Sequence, residues 1–348
     1  MELRAKQQQI ALYWLPGLVA GGIAWLAFLT LGQTSLIRAS GLALVIVGMA
    51  MILRRNGAVL AVIGGLALAF SPAFWTQTGG ADSLSLPMTL AVLVMAGVVA
   101  LALMRFSDRL SLGLLAGFVI FAVLFWSQLA ATGSLRLTTL TTAWLLFLLV
   151  DGLYLTNPRP DEAPAPLKLY HTVGILVLFA VGVVNDPLFV LLTPAAVLGL
   201  ALARHPLPRL YWVLLAGFIA FGVYGVVDEY ISSTFWLYPA AQAEAINLRV
   251  PYMMADGWRN ASRWLRLVEL VIGQFTAVGV VLGVLGLSRL ARWYPPLGTI
   301  TMVAYATYAL FGLVYFGNNS PVLLLPLLMI QVLWMTYAVY TLHHNWRA

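Results

Sequence analysis

The chain consists of apolar runs, most of them close to 20 residues long, separated by short polar connections. Because the hydrocarbon core of a bilayer is about 30 Å thick, a helix of about 20 apolar residues is long enough to cross it. Hydrophobic residues make up 62% of the chain and charged residues 9%, whereas soluble domains have about 45–50% and about 25%. The sequence therefore predicts an all-α, polytopic integral membrane protein.

Twelve segments have the length and apolar character of a transmembrane helix. We predict spans at 10–32, 36–53, 58–76, 84–104, 110–131, 136–156, 169–185, 187–203, 210–228, 265–287, 295–315 and 319–341. A connection rich in proline and charge, 157–168, is predicted to be a linker between an N-terminal half, 1–156, and a C-terminal half, 169–348.

Basic residues fall mostly on one side of this topology. If the N-terminus is cytoplasmic, 13 of the 19 Lys and Arg residues lie in inner segments, and the short outer loops are nearly free of them, as the positive-inside rule requires. We therefore predict cytoplasmic N- and C-termini and a location in the cell inner (plasma) membrane. The same distribution accounts for the formal net charge of +7, so no nucleic-acid partner is expected. The inner residues are Arg4, Lys6, Arg54, Arg55, Arg105, Arg109, Arg159, Lys168, Arg204, Arg209, Arg289, Arg292 and Arg347.

One long segment, 228–266, is predicted to lie outside the membrane on the outer face. Its second part, GWRNASRWLR, alternates tryptophan with arginine, a pattern typical of a helix that lies at the lipid headgroups. The predicted interface residues are Trp258, Arg259, Arg263, Trp264 and Arg266.

Among the acidic residues within or at the edge of predicted spans, Asp151, Asp186 and Glu269 are weighed as functional candidates. A charge in hydrocarbon is costly and often functional, so each is a candidate for a proton relay or a substrate-facing acid. The alternative, which we prefer, is that each pairs with a nearby arginine or caps a helix. Asp186 directly precedes Pro187, the order expected of an N-cap followed by the first helical residue, and Glu269 lies three residues after Arg266.

No cofactor or metal is predicted. The chain has no cysteine, which excludes disulfides, thiolate catalysis, iron–sulfur ligation and covalent c-type haem. The four histidines, His171, His205, His343 and His344, lie in or beside inner loops rather than in the middle of a span, which argues against a bis-histidine haem. Small-residue steps such as GLVAGG are expected to allow close helix packing rather than to bind phosphate.

The stretch GAVLAVIGGLALAFSPAFWTQTGGADSLSLPMTLAVLVM resembles the third and fourth spans of GT-C-type glycosyltransferases, which use lipid-linked sugars. The nearest resemblance is to DUF2723-type bacterial membrane proteins. NDPLFVLLTPAAVLGL, GQFTAVGVVLGVLGLSRLARW and NNSPVLLLPLLMIQVLW are similar to later segments of the same group. The resemblance implies a GT-C-like helix bundle in which Asp82 stands at the acid position of the second outer loop.

The first outer loop departs from the family pattern. In GT-C enzymes this loop is long and carries the main acidic motif, whereas here it is only Gly32–Ser35 and contains no carboxylate. We therefore predict a non-catalytic GT-C-like accessory or scaffold subunit of a larger membrane complex, such as a respiratory or photosynthetic electron-transfer complex. It would bind no redox cofactor, and its partners would be other integral membrane subunits and lipids.

Two other functions remain open. The first is a glycosyltransferase that uses a polyprenyl-phosphate sugar at the outer face, with Asp82 as metal ligand or base. The second is a transporter or lipid flippase that uses Asp151, Asp186 or Glu269 as coupling acids. The candidate substrate-binding residues are Asp186, Asp228, Glu229, Arg249 and Asp256.

Overall fold

A computed structural model describes residues 2–79, 117, 133–158, 163–203, 206–227, 257–314 and 320–345. Within these ranges the regular secondary structure is helical, without strands. Seven of the described helices are long and apolar enough to cross a membrane by length and composition. The protein is therefore an α-helical membrane protein, as the sequence predicts.

The helices are numbered here in chain order. The first half contains α1 (Glu2–Thr30), α2 (Leu36–Leu53), α3 (Ala58–Ala69), α4 (Pro72–Trp75) and α5 (Gly133–Thr156). The second half contains α6 (Leu169–Asn185), α7 (Thr193–Leu202), α8 (Arg209–Val226), α9 (Ala261–Trp293), α10 (Pro295–Val314), α11 (Ser320–Leu323) and α12 (Leu325–Asn345). Short 3₁₀ helices form at Arg54–Asn56, Pro187–Leu192 and Gly257–Arg259.

Seven predicted spans correspond to long helices: α1, α2, α5, α8, α9, α10 and α12. The predicted spans 84–104 and 110–131 lie outside the described residues, except for residue 117. The helix α6 and the pair formed by Pro187–Leu192 and α7 are apolar but shorter than the others. The number of membrane crossings thus stays a prediction beyond these seven.

The predicted span 58–76 is divided into two helices, α3 and α4. Proline disfavours the helical conformation of the residue before it, and Ser71, which precedes Pro72, is accordingly extended (φ −66°, ψ 140°). The Ser71 hydroxyl donates a hydrogen bond to the Leu68 carbonyl at 2.8 Å, where α3 ends. With 12 residues, α3 is about 18 Å long, which is shorter than the hydrocarbon core.

The centre of the bundle is formed by α2, α5 and α12, whose spanning windows are 78%, 94% and 78% buried. Helix α2 packs against α1, α3 and α5, while α12 packs against α9 and α3. Glycine permits the closest approaches, because a Cβ at Gly286 of α9 would overlap the Trp334 carbonyl of α12, and a Cβ at Gly21 of α1 would overlap Val47 of α2. The GLVAGG step therefore serves helix packing, as predicted.

Polar contacts join the helix ends at one end of the bundle. The Tyr294 hydroxyl, just after α9, donates to the carbonyls of Leu153 and Asn157 at the end of α5, at 3.0 and 2.8 Å. Near the end of α9, Arg289 Nη1 donates to Thr341 Oγ1 of α12 at 2.7 Å. The segments that meet here are those for which the sequence predicts an inner location.

A second set of contacts lies at the opposite end. Arg38 Nη1 donates to the Gly79 carbonyl at 3.1 Å, and the Gly79 amide donates to Thr34 Oγ1 at 2.9 Å. These contacts join the start of α2 to the segment after α4. Near the start of α9, Arg263 Nη1 donates to the Leu313 carbonyl of α10 at 2.7 Å. This alternation of helix ends agrees with the predicted order of inner and outer loops, while the side that faces the cytoplasm stays a prediction.

Helix α9 has 33 residues and is about 50 Å long, more than a bilayer core requires. It is interrupted at Thr276 (φ 62°, ψ 175°), a conformation that is exceptional for a β-branched residue. Next to this interruption, Gln274 Oε1 accepts a hydrogen bond from the Ala73 amide of α4 at 2.7 Å. The middle of α9 is thereby tied to the first half of the chain.

Candidate functional site

The best-defined polar site surrounds Asp151 of α5, whose side chain is buried. Arg54 Nη2 donates to Asp151 Oδ1 at 2.7 Å, and the Tyr13 hydroxyl donates to the same oxygen at 3.3 Å. On the other oxygen, Oδ2, the Tyr170 hydroxyl donates at 3.4 Å and His171 Nε2 lies at 3.1 Å. We call these five residues the Asp151 clasp.

Ring contacts hold the donors of the Asp151 clasp in position. The guanidinium of Arg54 lies 3.4 Å above the centre of the Tyr13 ring, a cation–π contact. The Tyr170 and His171 rings stack with their centres 4.1 Å apart. His171 is fully buried, and its Nδ1 has no hydrogen-bond partner among the described residues, so a proton on Nε2 satisfies the contact with Asp151.

The donors saturate the Asp151 carboxylate. A carboxylate offers about four lone-pair sites, and four side chains from α1, the end of α2 and α6 occupy them. The adjoining cleft between α2 and α5 is too narrow for a water molecule. Asp151 therefore joins four helices through charge and hydrogen bonds, and its predicted pairing with an arginine is confirmed.

Aromatic side chains extend this site toward the second half of the chain. The guanidinium of Arg55 lies 4.4 Å above the centre of the Tyr154 ring. Tyr154 in turn stacks on Tyr294, with ring centres 4.7 Å apart and planes 4° from parallel. The Asp151 clasp and the end of α9 thus form one continuous polar and aromatic layer.

Asp186 lies at the opposite end of the bundle, between α6 and the 3₁₀ helix Pro187–Leu192. Its Oδ1 accepts a hydrogen bond from the Leu188 amide at 2.9 Å, and Thr138 Oγ1 of α5 lies 3.1 Å from its Oδ2. Pro187 occupies the first position of the helix. The predicted N-cap at Asp186 is confirmed, although the helix that it caps is 3₁₀ rather than α.

The third acid, Glu269, is exposed on α9. Salt bridges in the described part of the chain involve Asp151 and not Glu269. The structure therefore does not contain the predicted Glu269–Arg266 pair.

The predicted interface residues lie at and just before the start of α9. The Trp264 indole donates to the Trp258 carbonyl at 2.7 Å, and the Arg259 guanidinium lies 4.9 Å from the Trp258 ring centre. The Asn260 side chain caps α9 by accepting a hydrogen bond from the Ser262 amide at 3.1 Å. Arg263, Trp264 and Arg266 therefore belong to the first turns of the long helix α9, not to a separate helix.

The remaining candidate catalytic and substrate-binding residues fall outside the part of the chain that the structure describes. Asp82, Asp228, Glu229, Arg249 and Asp256 all lie outside the described residues. The described residues also contain no group of three or more histidine or acidic side chains placed to hold a metal ion.

The sequence did not identify Tyr13, Arg54 or His171 as partners of Asp151. The available signal was topological, because all three residues lie near predicted inner ends and Asp151 lies about one turn from the inner end of its span. Hydrophobic periodicity carries no information about which inner ends touch.

Comparison of the chain with protein-family models, with curated protein sequences and with solved structures finds no match. The GT-C resemblance thus stays a prediction from the sequence.

Proposed function

We propose that the protein is a non-catalytic integral membrane subunit that packs against transmembrane helices of partner proteins in a larger membrane complex. The observation that carries this proposal is a face of α8 that no other helix in the described ranges covers. Only 17% of its spanning window is buried, compared with 94% for α5. Helix α9 is similarly open, with 22% buried.

The exposed face of α8 has small residues at its centre and the larger Val213 and Tyr224 toward its two ends. The buried residues of α8, among them Tyr211, Leu215 and Gly222, form one stripe along the helix. At 100° per residue the opposite side carries Gly217 and Ala220, both exposed. A Cβ at Gly217 would meet no atom within 4 Å. We call this surface the small-residue face; it consists of Val213, Ala216, Gly217, Ala220 and Tyr224.

The chemistry of this face suits another helix. Lipid tails are as apolar as leucine, so helix association in a membrane depends on close packing, for which small residues are favoured. This chain uses small residues in that way elsewhere: a Cβ at Gly222 would press on Val183 and Val190, and a Cβ at Gly283 would overlap Gln331. The small-residue face has the same character, and among the described residues no other helix covers it.

The buried polar groups support the same proposal. Asp151 and Asp186 each hold helices or helix ends together through several hydrogen bonds. Such contacts fix the positions of helices, which is what a scaffold subunit requires. A respiratory or photosynthetic electron-transfer complex is the assembly that we expect, and identification of the partners tests this.

The experiment is co-purification from the native membrane in a mild detergent, followed by gel filtration. We expect partner subunits at a constant ratio to the wild-type chain. The double variant Gly217→Leu/Ala220→Leu should lose them while keeping its melting temperature, because both positions are exposed and face away from the other described helices. Val223→Leu, on the flank of α8, is the matched control and should keep the partners.

Two results would count against the proposal. Partners that stay bound to the double variant would show that the small-residue face is not the interface. A wild-type chain that elutes alone and carries polyprenyl lipid would favour the glycosyltransferase alternative, and the Asp82→Asn variant would then test it through loss of sugar transfer.

A further inference from the structure

Asp186 differs from Asp151 in one respect: within the part of the chain that the structure describes, it has no cationic partner. Its side chain is buried, with 6% exposed. Its hydrogen-bond partners are the Leu188 amide and the Thr138 hydroxyl, which are both neutral. Among the described residues, the ion pair joins Asp151 to Arg54, His171 lies beside the same carboxylate, and no such contact includes Asp186.

A buried carboxylate without a counter-charge is strongly disfavoured, because its hydration is lost and nothing replaces it. Such a group takes up a proton instead of remaining charged. The N-cap hydrogen bond from Leu188 offsets part of this cost, but a single neutral donor and one hydroxyl supply less than the four donors that surround Asp151.

The hydrogen-bond geometry suits a neutral carboxylic acid. Oδ1 can accept from the Leu188 amide while a protonated Oδ2 donates to Thr138 Oγ1 across the 3.1 Å between the two oxygens. The Thr138 hydroxyl has two lone pairs, and the second accepts from Asn185 Nδ2 at 2.9 Å. Every contact of Asp186 is retained in this form.

Tyr308 of α10 provides an independent observation. Its side chain is 1% exposed and its hydroxyl has no hydrogen-bond partner. Helix α10 packs against the 3₁₀ helix Pro187–Leu192, and Thr307 Oγ1 of α10 donates a hydrogen bond to the Leu191 carbonyl. This packing places Tyr308 within electrostatic range of Asp186. Among the described residues no charged side chain acts on Asp186, whose surroundings are its own burial, the Leu188 amide and the Thr138 hydroxyl. Tyr308 is the described titratable group on which Asp186 acts.

We propose that Asp186 is a buried proton-binding site, occupied as a neutral carboxylic acid at neutral pH. The site binds one proton at Oδ2, and no other bond forms or breaks. This inference is independent of the proposed subunit function, because the site lies inside the chain and requires no partner.

The test is infrared difference spectroscopy of the purified protein at neutral pH. Subtracting the Asp186→Asn spectrum from the wild-type spectrum should leave the C=O stretching band of a protonated carboxyl group. Asp151→Asn is the matched control and should instead leave carboxylate bands, because Asp151 is paired with Arg54. Carboxylate bands from Asp186 at neutral pH would overturn the proposal.

The variants also provide a second readout. In Asp186→Asn, the asparagine has the shape of the neutral acid and keeps both hydrogen bonds. If Asp186→Asn does not fold, Asp186→Ser takes its place, because serine retains an N-cap acceptor. If Asp186 is protonated only in the folded state, the folded protein binds one more proton than the unfolded chain above about pH 4. Stability then falls as pH rises, and the unfolding constant of the wild type increases tenfold per pH unit relative to Asp186→Asn. Identical pH slopes would overturn the proposal.

Discussion

Replacing Arg54 with methionine removes the charged partner of Asp151 while keeping an unbranched side chain. The substitution eliminates the 2.7 Å bond to Asp151 and leaves a carboxylate whose side chain is only 7% exposed. Loss of one partner from a buried ion pair costs about 3–5 kcal/mol. We expect a value near the lower end, about 3 kcal/mol, because His171 and two tyrosines still donate to Asp151.

The double variant Arg54→Met/Asp151→Leu separates the cost of an unpaired charge from the cost of the lost contacts. Replacing both members of a buried ion pair with apolar residues is often neutral or stabilising. Here Tyr13 and Tyr170 also lose their acceptor, at about 1 kcal/mol for each hydrogen bond. We therefore expect the double variant to be less destabilised than the sum of the single variants, by about 3 kcal/mol.

The measurement is the free energy of unfolding in detergent micelles for the wild type, both single variants and the double variant. Arg209→Met, at the exposed start of α8, is the control and should change the free energy by less than about 0.5 kcal/mol. If the effects of the two single variants add up to the effect of the double variant within about 0.5 kcal/mol, the two residues act as independent sites and the reasoning is refuted.

Two further predictions concern helix packing and capping. Gly286→Ala places a methyl group on the Trp334 carbonyl, so α9 and α12 must separate, and we expect the free energy of unfolding to fall by about 1–3 kcal/mol. The control is Gly273→Ala on the same helix, where a Cβ would meet no described atom within 4 Å, and it should cost nothing measurable. Equal effects of the two variants would contradict this account. Asn260→Ala removes the side chain that caps α9 by accepting a hydrogen bond from the Ser262 amide. We expect the free energy of unfolding to fall by about 1 kcal/mol, which a lower melting temperature would report. Asn260→Asp should retain the stability of the wild type.

The sequence by itself determined the features that depend on neighbouring residues. The length of an apolar run is a local property, so seven predicted spans appear as long helices. The N-cap at Asp186 was predictable because the side chain reaches an amide only two residues away. The division of 58–76 into α3 and α4 was missed, although Ser71–Pro72 carries the signal for a break, because hydropathy averages over such a short interruption.

The tertiary structure decided which distant residues meet. Arg54 and Asp151 are 97 residues apart in the chain, and Tyr13 and Asp151 are 138 apart. Their contact depends on how α1, α2, α5 and α6 rotate and pack, and any inner arginine near a helix end would have satisfied the pattern in the sequence. The difference between Asp151 and Asp186 has the same origin. Both are single acids near the end of an apolar run, and only the packed structure gives one of them an arginine and the other two neutral partners.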